Sequence, residues 1–293
     1  MVKTKNILVT GSSGQLGSEL FNISSNYNNY SFVFMSRNEL DINNHKSFIE
    51  IIEQFKINLI INCAAYTNVE KSEEEKEICN LTNAISVDKI AKICEERSIQ
   101  LIHISTDFVF DGNKTVPYTE IDEPNPINYY GLTKFNGEKF ILKYDLKKSI
   151  IIRTSWLYSS YGKNFVNNII DRIKIGKKID VVENEIGSPT NAMDLARFIL
   201  EITPKLNNSS TEIYNFSNSE FCSRYEFAVQ INDYYNGGLT INPVTTNNIK
   251  IARPRFTALN CNKIEEVFNA KLKSWKDSLL NHIIHKKTYL EVE

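Results

Sequence analysis

The chain has 293 residues, of which 42% are hydrophobic and 24% charged, as is typical of a globular protein with a substantial buried core. A formal net charge of -1 excludes a broad basic surface for nucleic acid or anionic membranes. No apolar run approaches the ~20 residues that span a bilayer, and the apolar stretch near the N-terminus is too short for a signal peptide. We therefore expect a cytoplasmic protein that binds neither nucleic acid nor membrane.

Short apolar runs alternate with helical patterns through the first half of the chain. Strands are predicted over residues 6–10, 31–35, 58–62, 101–105 and 149–154. Strands that are apolar throughout are expected where helices cover both faces of a parallel sheet. Between them, Ala84, Val87, Ala91 and Cys94 recur at the spacing of one helix face. The pattern predicts an α/β fold with a Rossmann-like, doubly wound parallel sheet.

The alternation loosens after Tyr158. We expect residues 1–158 to form an NAD(P)-binding Rossmann domain. Residues 159–293 should form mostly a smaller C-terminal substrate-binding lobe, with segments that return to the Rossmann domain. A helix is predicted near residues 164–175 in this second part.

A glycine-rich turn follows the first predicted strand. The segment GSSGQLG contains Gly11 and Gly14 and leads into a helix that begins with Gln15 and Leu16. Glycines let the backbone approach a pyrophosphate, and the helix N-terminus offers free N–H groups to it. A glycine turn placed between a strand and a helix predicts a dinucleotide site.

The second predicted strand ends near Arg37, where NAD-selective folds commonly place an acidic residue. A guanidinium suits the 2′-phosphate of NADPH by charge and by bidentate geometry. The sequence therefore favours NADPH and leaves NADH open.

Two segments predict the chemistry. The fourth predicted strand ends in Ser-Thr-Asp, with Thr106 and Asp107 at its carboxyl end, and Tyr130 and Lys134 follow in a helical context. Residues i and i+4 share a helix face, so the Lys134 ammonium is expected to lower the pKa of the Tyr130 phenol. Tyr130 would then act as general acid for a carbonyl that receives hydride, and Thr106 would hydrogen-bond the same oxygen.

Several collinear segments together resemble the dTDP-4-dehydrorhamnose reductase family of extended short-chain dehydrogenases. They are GSSGQLG, LDI, NCAAYTNVEKSE, HISTDFVFDG, PYTEIDEPNPINYYGLTKFNGE, RTSWLY, GKNF and IGSPT. The resemblance runs from Asn6 to about Arg197 and is weaker through the C-terminal third, where INPVTTNNIKIARPRFTALN matches less closely.

The resemblance implies reduction of the C4 keto group of dTDP-4-dehydro-L-rhamnose to dTDP-L-rhamnose. It implies that Thr106, Tyr130 and Lys134 are catalytic, with Tyr130 and Lys134 also contacting the cofactor. The cofactor would be lined by Gly14, Gln15, Leu16, Asp41, Ile42, Ala65, Tyr66 and Thr67. The substrate would be contacted by Thr106, Asp107, Trp156, Asn164 and Phe165, although Trp156 could instead be a core residue.

Two alternative functions stay open. The chain could reduce another 4-keto nucleotide sugar, or it could be a non-catalytic nucleotide-binding subunit of the kind that regulates methionine adenosyltransferase. Some members of the family bind Mg²⁺ at a dimer interface, so magnesium and a homodimer are open by resemblance alone. The cysteines and histidines show no ligand spacing that predicts a metal site.

Overall fold

A computed structural model describes residues 5–176, 178–245 and 251–290. The strands are Lys5–Thr10 (β1), Tyr30–Met35 (β2), Leu59–Asn62 (β3), Gln100–Thr106 (β4), Ile150–Thr154 (β5), Leu157–Tyr158 (β6), Ile179–Val182 (β7), Ile186–Gly187 (β8), Thr190–Asn191 (β9), Glu212–Phe216 (β10), Cys222–Ser223 (β11) and Ile241–Val244 (β12). The α-helices are Gln15–Ile23 (α1), His45–Gln54 (α2), Val69–Ser72 (α3), Lys76–Asn80 (α4), Ser86–Arg97 (α5), Tyr129–Leu142 (α6), Phe165–Ile175 (α7), Ala192–Ile202 (α8), Arg224–Tyr235 (α9), Asn262–Phe268 (α10) and Trp275–Leu290 (α11).

The main sheet has six parallel strands in the order β2–β1–β3–β4–β5–β10. The chain winds outward from β1 in both directions, because β2 lies on one side of it and β3 on the other. Open α/β sheets bind ligands at such a reversal, outside the carboxyl ends of the strands. The predicted Rossmann-like doubly wound sheet is confirmed, and the five strands predicted in the first half are all present to within a residue or two at their ends.

Helices cover both faces of this sheet, which explains why its strands are apolar throughout. In β1, Ile7 and Val9 pack in one buried cluster with helices α1 and α8, whereas Leu8 packs in the other, with α2, α5 and α6. The helix face predicted from Ala84, Val87, Ala91 and Cys94 is buried, at 0–1% exposure. The apolar spacing therefore located the inner side of this helix correctly.

The second half of the chain both extends the main sheet and builds a separate apolar cluster. Strand β10 pairs with β5, and α8 packs against α1. The separate cluster includes Tyr158, Phe227 and Trp275 and joins helices α7, α9 and α11. The assignment of residues 159–293 to substrate binding stays a prediction. None of the helices in the described ranges is both long and apolar enough to cross a membrane.

Candidate active site

The glycine turn after β1 packs against the loop that follows β3. Gly11 has φ +64°, and a Cβ atom there would lie 2.8 Å from the backbone nitrogen of Ala64. A Cβ atom on Gly17 would overlap the carbonyl oxygen of Gly11. Gly11 is therefore required for its positive φ angle, and neither Gly11 nor Gly17 leaves room for a side chain. Gly14 is the N-cap of α1, and in the described chain no side chain caps this helix, so its N-terminal N–H groups remain available to an anion.

The turn forms one wall of a cleft of about 670 Å³ at the carboxyl edge of the sheet. Nearly all of the predicted cofactor and substrate residues line this single cleft. They are Gly11, Gly14, Gln15, Leu16, Arg37, Asp41, Ile42, Ala65, Tyr66, Thr67, Thr106, Asp107, Tyr130, Lys134, Trp156 and Asn164. The volume is in the range of small-molecule and cofactor sites.

Phe165 is the predicted site residue that does not belong to this set in the described structure. Its ring stacks on Phe227, with ring centroids 5.7 Å apart, and packs against the apolar cluster of the second half. The reason is local: Asn164 is the N-cap of α7 and lines the cleft, whereas Phe165 is the first helical residue and turns toward the helix packing. Phe165 therefore does not line the cleft itself, but the guanidinium of Arg224, which does, lies 5.1 Å from its ring centroid, and contact of Phe165 with the substrate stays a prediction.

Helix α6 brings Tyr130 to the end of β4. The Asn128 side chain caps the helix by accepting a 2.8 Å hydrogen bond from the N–H of Gly131. Gly131 lies so close to the carbonyl oxygen of Phe108 that a Cβ atom would overlap it. This close approach sets the Tyr130 ring edge-on against Phe108, at 5.7 Å between centroids. The Thr106 side chain hydrogen-bonds with the Tyr130 phenol, and its predicted contact with the substrate carbonyl stays a prediction.

The Tyr130 phenol is not shifted toward neutral pH. Its pKa is raised above the ordinary value, mainly because the group lies away from bulk water, with the Asp107 carboxylate adding to the effect. The hydrogen bond with Thr106 opposes this rise. The hypothesis that Lys134 lowers the pKa of Tyr130 is therefore wrong for the free protein, in which the lysine engages other groups.

Lys134 is buried, at 2% exposure, and its amino group turns toward β4. Nζ donates a 2.7 Å hydrogen bond to the carbonyl oxygen of Ile104 and lies 3.2 Å from Nε2 of His103. Burial lowers the pKa of Lys134 to about 8, and the carboxylate of Glu138 opposes the shift. Lys134 is therefore a cation that can lose its proton not far above neutral pH.

A buried ion pair fixes α6 against the sheet behind these residues. Arg153 of β5 donates from Nη2 to Glu138 at 2.7 Å and from Nε at 3.0 Å, and both side chains are at most 2% exposed. Ser105 donates a further hydrogen bond to the same carboxylate. The pair joins helix α6 to β4 and β5 immediately behind the Tyr130–Lys134 face. Sequence reasoning missed it because its members come from separate segments of apolar or helical appearance.

The opposite wall of the cleft carries an aromatic side chain and several cations. The Arg224 guanidinium stacks over Trp156 at 3.6 Å from the ring centroid, and Gly187 leaves room for the ring because a Cβ atom there would overlap it. Arg253 and Lys163 line the same cleft. Trp156 is thus a wall residue of the cleft. Sequence reasoning missed the three cations, although Arg253 falls in the quoted segment ARPRFTALN.

The Asp107 carboxylate interacts electrostatically with both the Tyr130 phenol and Arg224. It is buried, its Oδ2 atom has no hydrogen-bond partner among the described residues, and burial raises its pKa to about 6. Hydrogen bonds from Thr257 and Thr106 and the charge of Arg224 oppose this rise. A buried carboxylate oxygen without a partner is an acceptor for a ligand hydroxyl.

The fold and the Tyr130–Lys134 face beside a dinucleotide-type glycine turn define a short-chain dehydrogenase or reductase. The sequence profile of the RmlD substrate binding domain matches residues 5–288, and the chain belongs to this family. The family predicted from the sequence segments is confirmed, together with the predicted class of enzyme, an oxidoreductase.

Individual relatives cover almost the whole chain. A dTDP-4-dehydrorhamnose reductase of Aggregatibacter actinomycetemcomitans is 34% identical over 94% of this chain and 97% of its own length. A dTDP-4-keto-6-deoxy-D-glucose reductase of Streptomyces niveus is 30% identical over 93% and 94%. The crystal structure of dTDP-4-dehydrorhamnose reductase from Bacillus anthracis in complex with NADP is 33% identical, with a TM-score of 0.88 and coverage of 96% and 99%.

Proposed function

We propose that the chain is an NADPH-dependent reductase that converts the C4 keto group of dTDP-4-dehydro-L-rhamnose to the alcohol of dTDP-L-rhamnose. The observation that carries the proposal is the position of Tyr130 and Thr106. Both line the same cleft as the glycine turn, so a carbonyl held against them is adjacent to a dinucleotide bound at that turn. The names of relatives that cover nearly all of the chain support this substrate and reaction.

The cofactor end of the cleft fits NADPH. The uncapped N-terminus of α1 faces the cleft at Gly14 and suits the pyrophosphate. Arg37 lies on the same cleft and suits a 2′-phosphate, which NADH lacks. Gln15 and Leu16 at the start of α1, together with Asp41, Ile42, Ala65, Tyr66 and Thr67, would line the cofactor. When bound, NADPH supplies the hydride for the carbonyl carbon.

Tyr130 supplies the proton. A phenol whose pKa is raised by burial stays protonated at neutral pH, which is the form that a general acid needs. As the C4 oxygen gains negative charge it becomes a far stronger base than a ketone, and Tyr130 transfers its proton to that oxygen. The single O–H of Thr106 donates to Oδ1 of Asp107 in the free protein and would turn to the C4 oxygen when the substrate is bound, and Lys134 stabilises the phenolate that remains.

Residues from both halves of the chain hold the rest of the substrate. Asp107 accepts from a sugar hydroxyl through its unpartnered oxygen, and Trp156 covers the apolar face of the sugar ring. Asn164 and the cation of Arg224 lie where a nucleotide diphosphate can extend from the sugar. We assign the nucleotide end of the substrate mostly to residues 159–293, and the cofactor, together with the sugar contacts of Asp107 and Trp156, to residues 1–158. A homodimer, bound magnesium and a cytoplasmic location remain predictions.

A second candidate is the reduction of a different 4-keto nucleotide sugar by the same residues. The relative from Streptomyces niveus is named for a different sugar, dTDP-4-keto-6-deoxy-D-glucose. It matches this chain over nearly the same length as the relative from Aggregatibacter actinomycetemcomitans. Thr106, Tyr130 and Lys134 would catalyse the reduction of either sugar, because these residues act only on the carbonyl group.

The loss of NADPH absorbance with a panel of dTDP- and UDP-linked 4-keto-6-deoxysugars tests both candidates. We expect the highest kcat/KM with dTDP-4-dehydro-L-rhamnose, and the appearance of dTDP-L-rhamnose in the product. Faster turnover of another sugar would favour the second candidate. If the protein binds NADPH but reduces none of these sugars, the proposed function is contradicted.

A further inference from the structure

A row of polar side chains crosses three neighbouring strands and ends at Lys134. Thr10 in β1 is in register with Asn62 in β3, and Asn62 is in register with His103 in β4. All three side chains are at most 1% exposed, in strands that are otherwise mostly apolar. Burying polar groups costs free energy unless each has a hydrogen-bond partner. The partners of these three side chains therefore indicate which group His103 offers to Lys134.

The members of the row are joined in series. Oγ1 of Thr10 donates to Oδ1 of Asn62 at 2.7 Å. Nδ2 of Asn62 lies 3.0 Å from Nδ1 of His103, and Nε2 of His103 lies 3.2 Å from Nζ of Lys134. The imidazole therefore contacts the row through one ring nitrogen and the lysine through the other.

These contacts assign the proton on the ring. Burial holds the pKa of His103 well below its usual value, so the imidazole is neutral and carries one N–H. The Asn62 amide is oriented with Oδ1 toward the hydroxyl of Thr10 and Nδ2 toward His103. In this orientation Nδ2 can only donate, so Nδ1 of His103 accepts and the proton lies on Nε2. The N–H of His103 thus points at Nζ of Lys134.

We propose that His103 is a positioning residue that donates a hydrogen bond from Nε2 to Nζ of Lys134 and thereby favours the neutral amine of the lysine over its ammonium. An amine has a lone pair to accept this bond, whereas an ammonium has donors only and would set N–H against N–H. The remaining N–H groups of the amine can still bond the carbonyl oxygen of Ile104. This inference rests on the proposed function in one respect, which is the role of Lys134 in the reaction.

One group near Lys134 acts in the opposite direction. Glu138, one helical turn further along α6, favours the ammonium. The thiols Cys79 of α4 and Cys63 after β3 also lie near Lys134, but burial raises their pKa values, so both are uncharged where the lysine titrates. Tyr130 lies one turn back on the same helix. The charge of Glu138 is already shared with Arg153. His103 is the neutral group among these that directs an N–H at the amine. It keeps Lys134 able to lose and regain a proton near neutral pH, as replenishing the proton of Tyr130 requires.

The protonation state of Lys134 can be measured by NMR in the absence of substrate. NMR of ¹³C,¹⁵N-lysine-labelled protein follows the Cε and Nζ shifts against pH, and Lys134→Met identifies the signal by its loss. We expect the pKa of Lys134 to rise by about one unit in His103→Phe, because the N–H bond to the amine is gone. His103→Gln keeps an N–H at the same distance along the side chain and is expected to titrate like the wild type. An unchanged or lowered pKa in His103→Phe would overturn the inference.

Thr10→Val supplies a second test if His103→Phe does not fold. It removes the hydroxyl at the far end of the row at nearly constant volume and leaves Asn62 less firmly oriented, so a smaller rise in the pKa of Lys134 is expected. In active protein, the alkaline limb of kcat/KM should move with the NMR value in each variant. If no sugar is reduced, the NMR result still decides the inference. A failed pKa shift in an active reductase refutes the inference alone.

Discussion

Nδ2 of Asn164 donates a 3.0 Å hydrogen bond to Oε1 of Gln15, which joins the cap of α7 to the first residue of α1. Gln15 also donates to the carbonyl oxygen of Leu157. Both Gln15 and Asn164 line the cleft, one from its cofactor wall and the other from the second half of the chain. This contact therefore links the two walls between which cofactor and substrate must lie together.

We predict that breaking this contact weakens NADPH binding without unfolding α7. Asn164→Ser keeps an N-cap side chain that can accept from the N–H of Asn167, but it is too short to reach Gln15. The Kd for NADPH should rise several-fold, with a small decrease in the thermal midpoint, because the variant also lacks the hydrogen bond from Nδ2 to the carbonyl oxygen of Ser159. Gln15→Ala should give a similar rise, and the double variant should be no worse than the more affected single variant. Fully additive effects in this cycle would show that the two residues act independently.

Arg37 is predicted to set the preference for NADPH. Arg37→Ala removes the charge offered to the 2′-phosphate, so the Kd for NADPH should rise roughly tenfold or more, as expected for a charge-assisted hydrogen bond. NADH lacks this phosphate, and its Kd in the same variant is the internal control. Equal losses for both cofactors would place Arg37 in a general structural role.

Removal of one partner from the buried pair of Glu138 and Arg153 is predicted to destabilise the protein strongly. Glu138→Leu leaves the Arg153 charge buried without its partner and should lower the free energy of unfolding by about 3–5 kcal/mol. The double variant Glu138→Leu/Arg153→Met removes both charges and should recover much of that loss. Urea denaturation measures both values. A double variant less stable than the single variant would argue against an unpaired charge as the cause.

Glu19 in α1 predicts a particular dependence of stability on pH. It is buried, and burial raises its pKa from 4.5 to about 7. Between these pH values the folded state binds more protons at this site than the unfolded chain, so this group makes the protein less stable as the pH rises. Relative to Glu19→Gln, the wild type should lose stability from about pH 4.5 to about pH 7 and then level off. A constant difference across this range would refute the prediction.

The sequence predicted the parts of this molecule that depend on local pattern. Apolar runs such as the one ending at Thr10 located the strands, and the i,i+4 spacing of Tyr130 and Lys134 placed them together on α6 beside the cleft. Arg224 could not be predicted, because its contact with Trp156 joins segments far apart in the chain. The direction of the Phe165 side chain depends on which residue begins α7, and a shift of one residue in that start would change it.

The orientation of Lys134 was also beyond sequence reasoning. Its spacing from Tyr130 suggested an electrostatic effect on the phenol, but the amino group turns to Ile104 and His103 instead. A histidine within an apolar strand has the appearance of an ordinary core residue. Its partner becomes visible only when the register of β1, β3 and β4 is known.

The central claim is that Tyr130 protonates the C4 oxygen of a nucleotide-bound 4-keto sugar. Single-turnover oxidation of NADPH with dTDP-4-dehydro-L-rhamnose, compared between the wild type and Tyr130→Phe, tests it most directly. We predict an unchanged Kd for NADPH and a rate about 100-fold to 10,000-fold lower in the variant, the range expected for the loss of a general acid. A rate near that of the wild type, with NADPH bound equally well, would contradict the account.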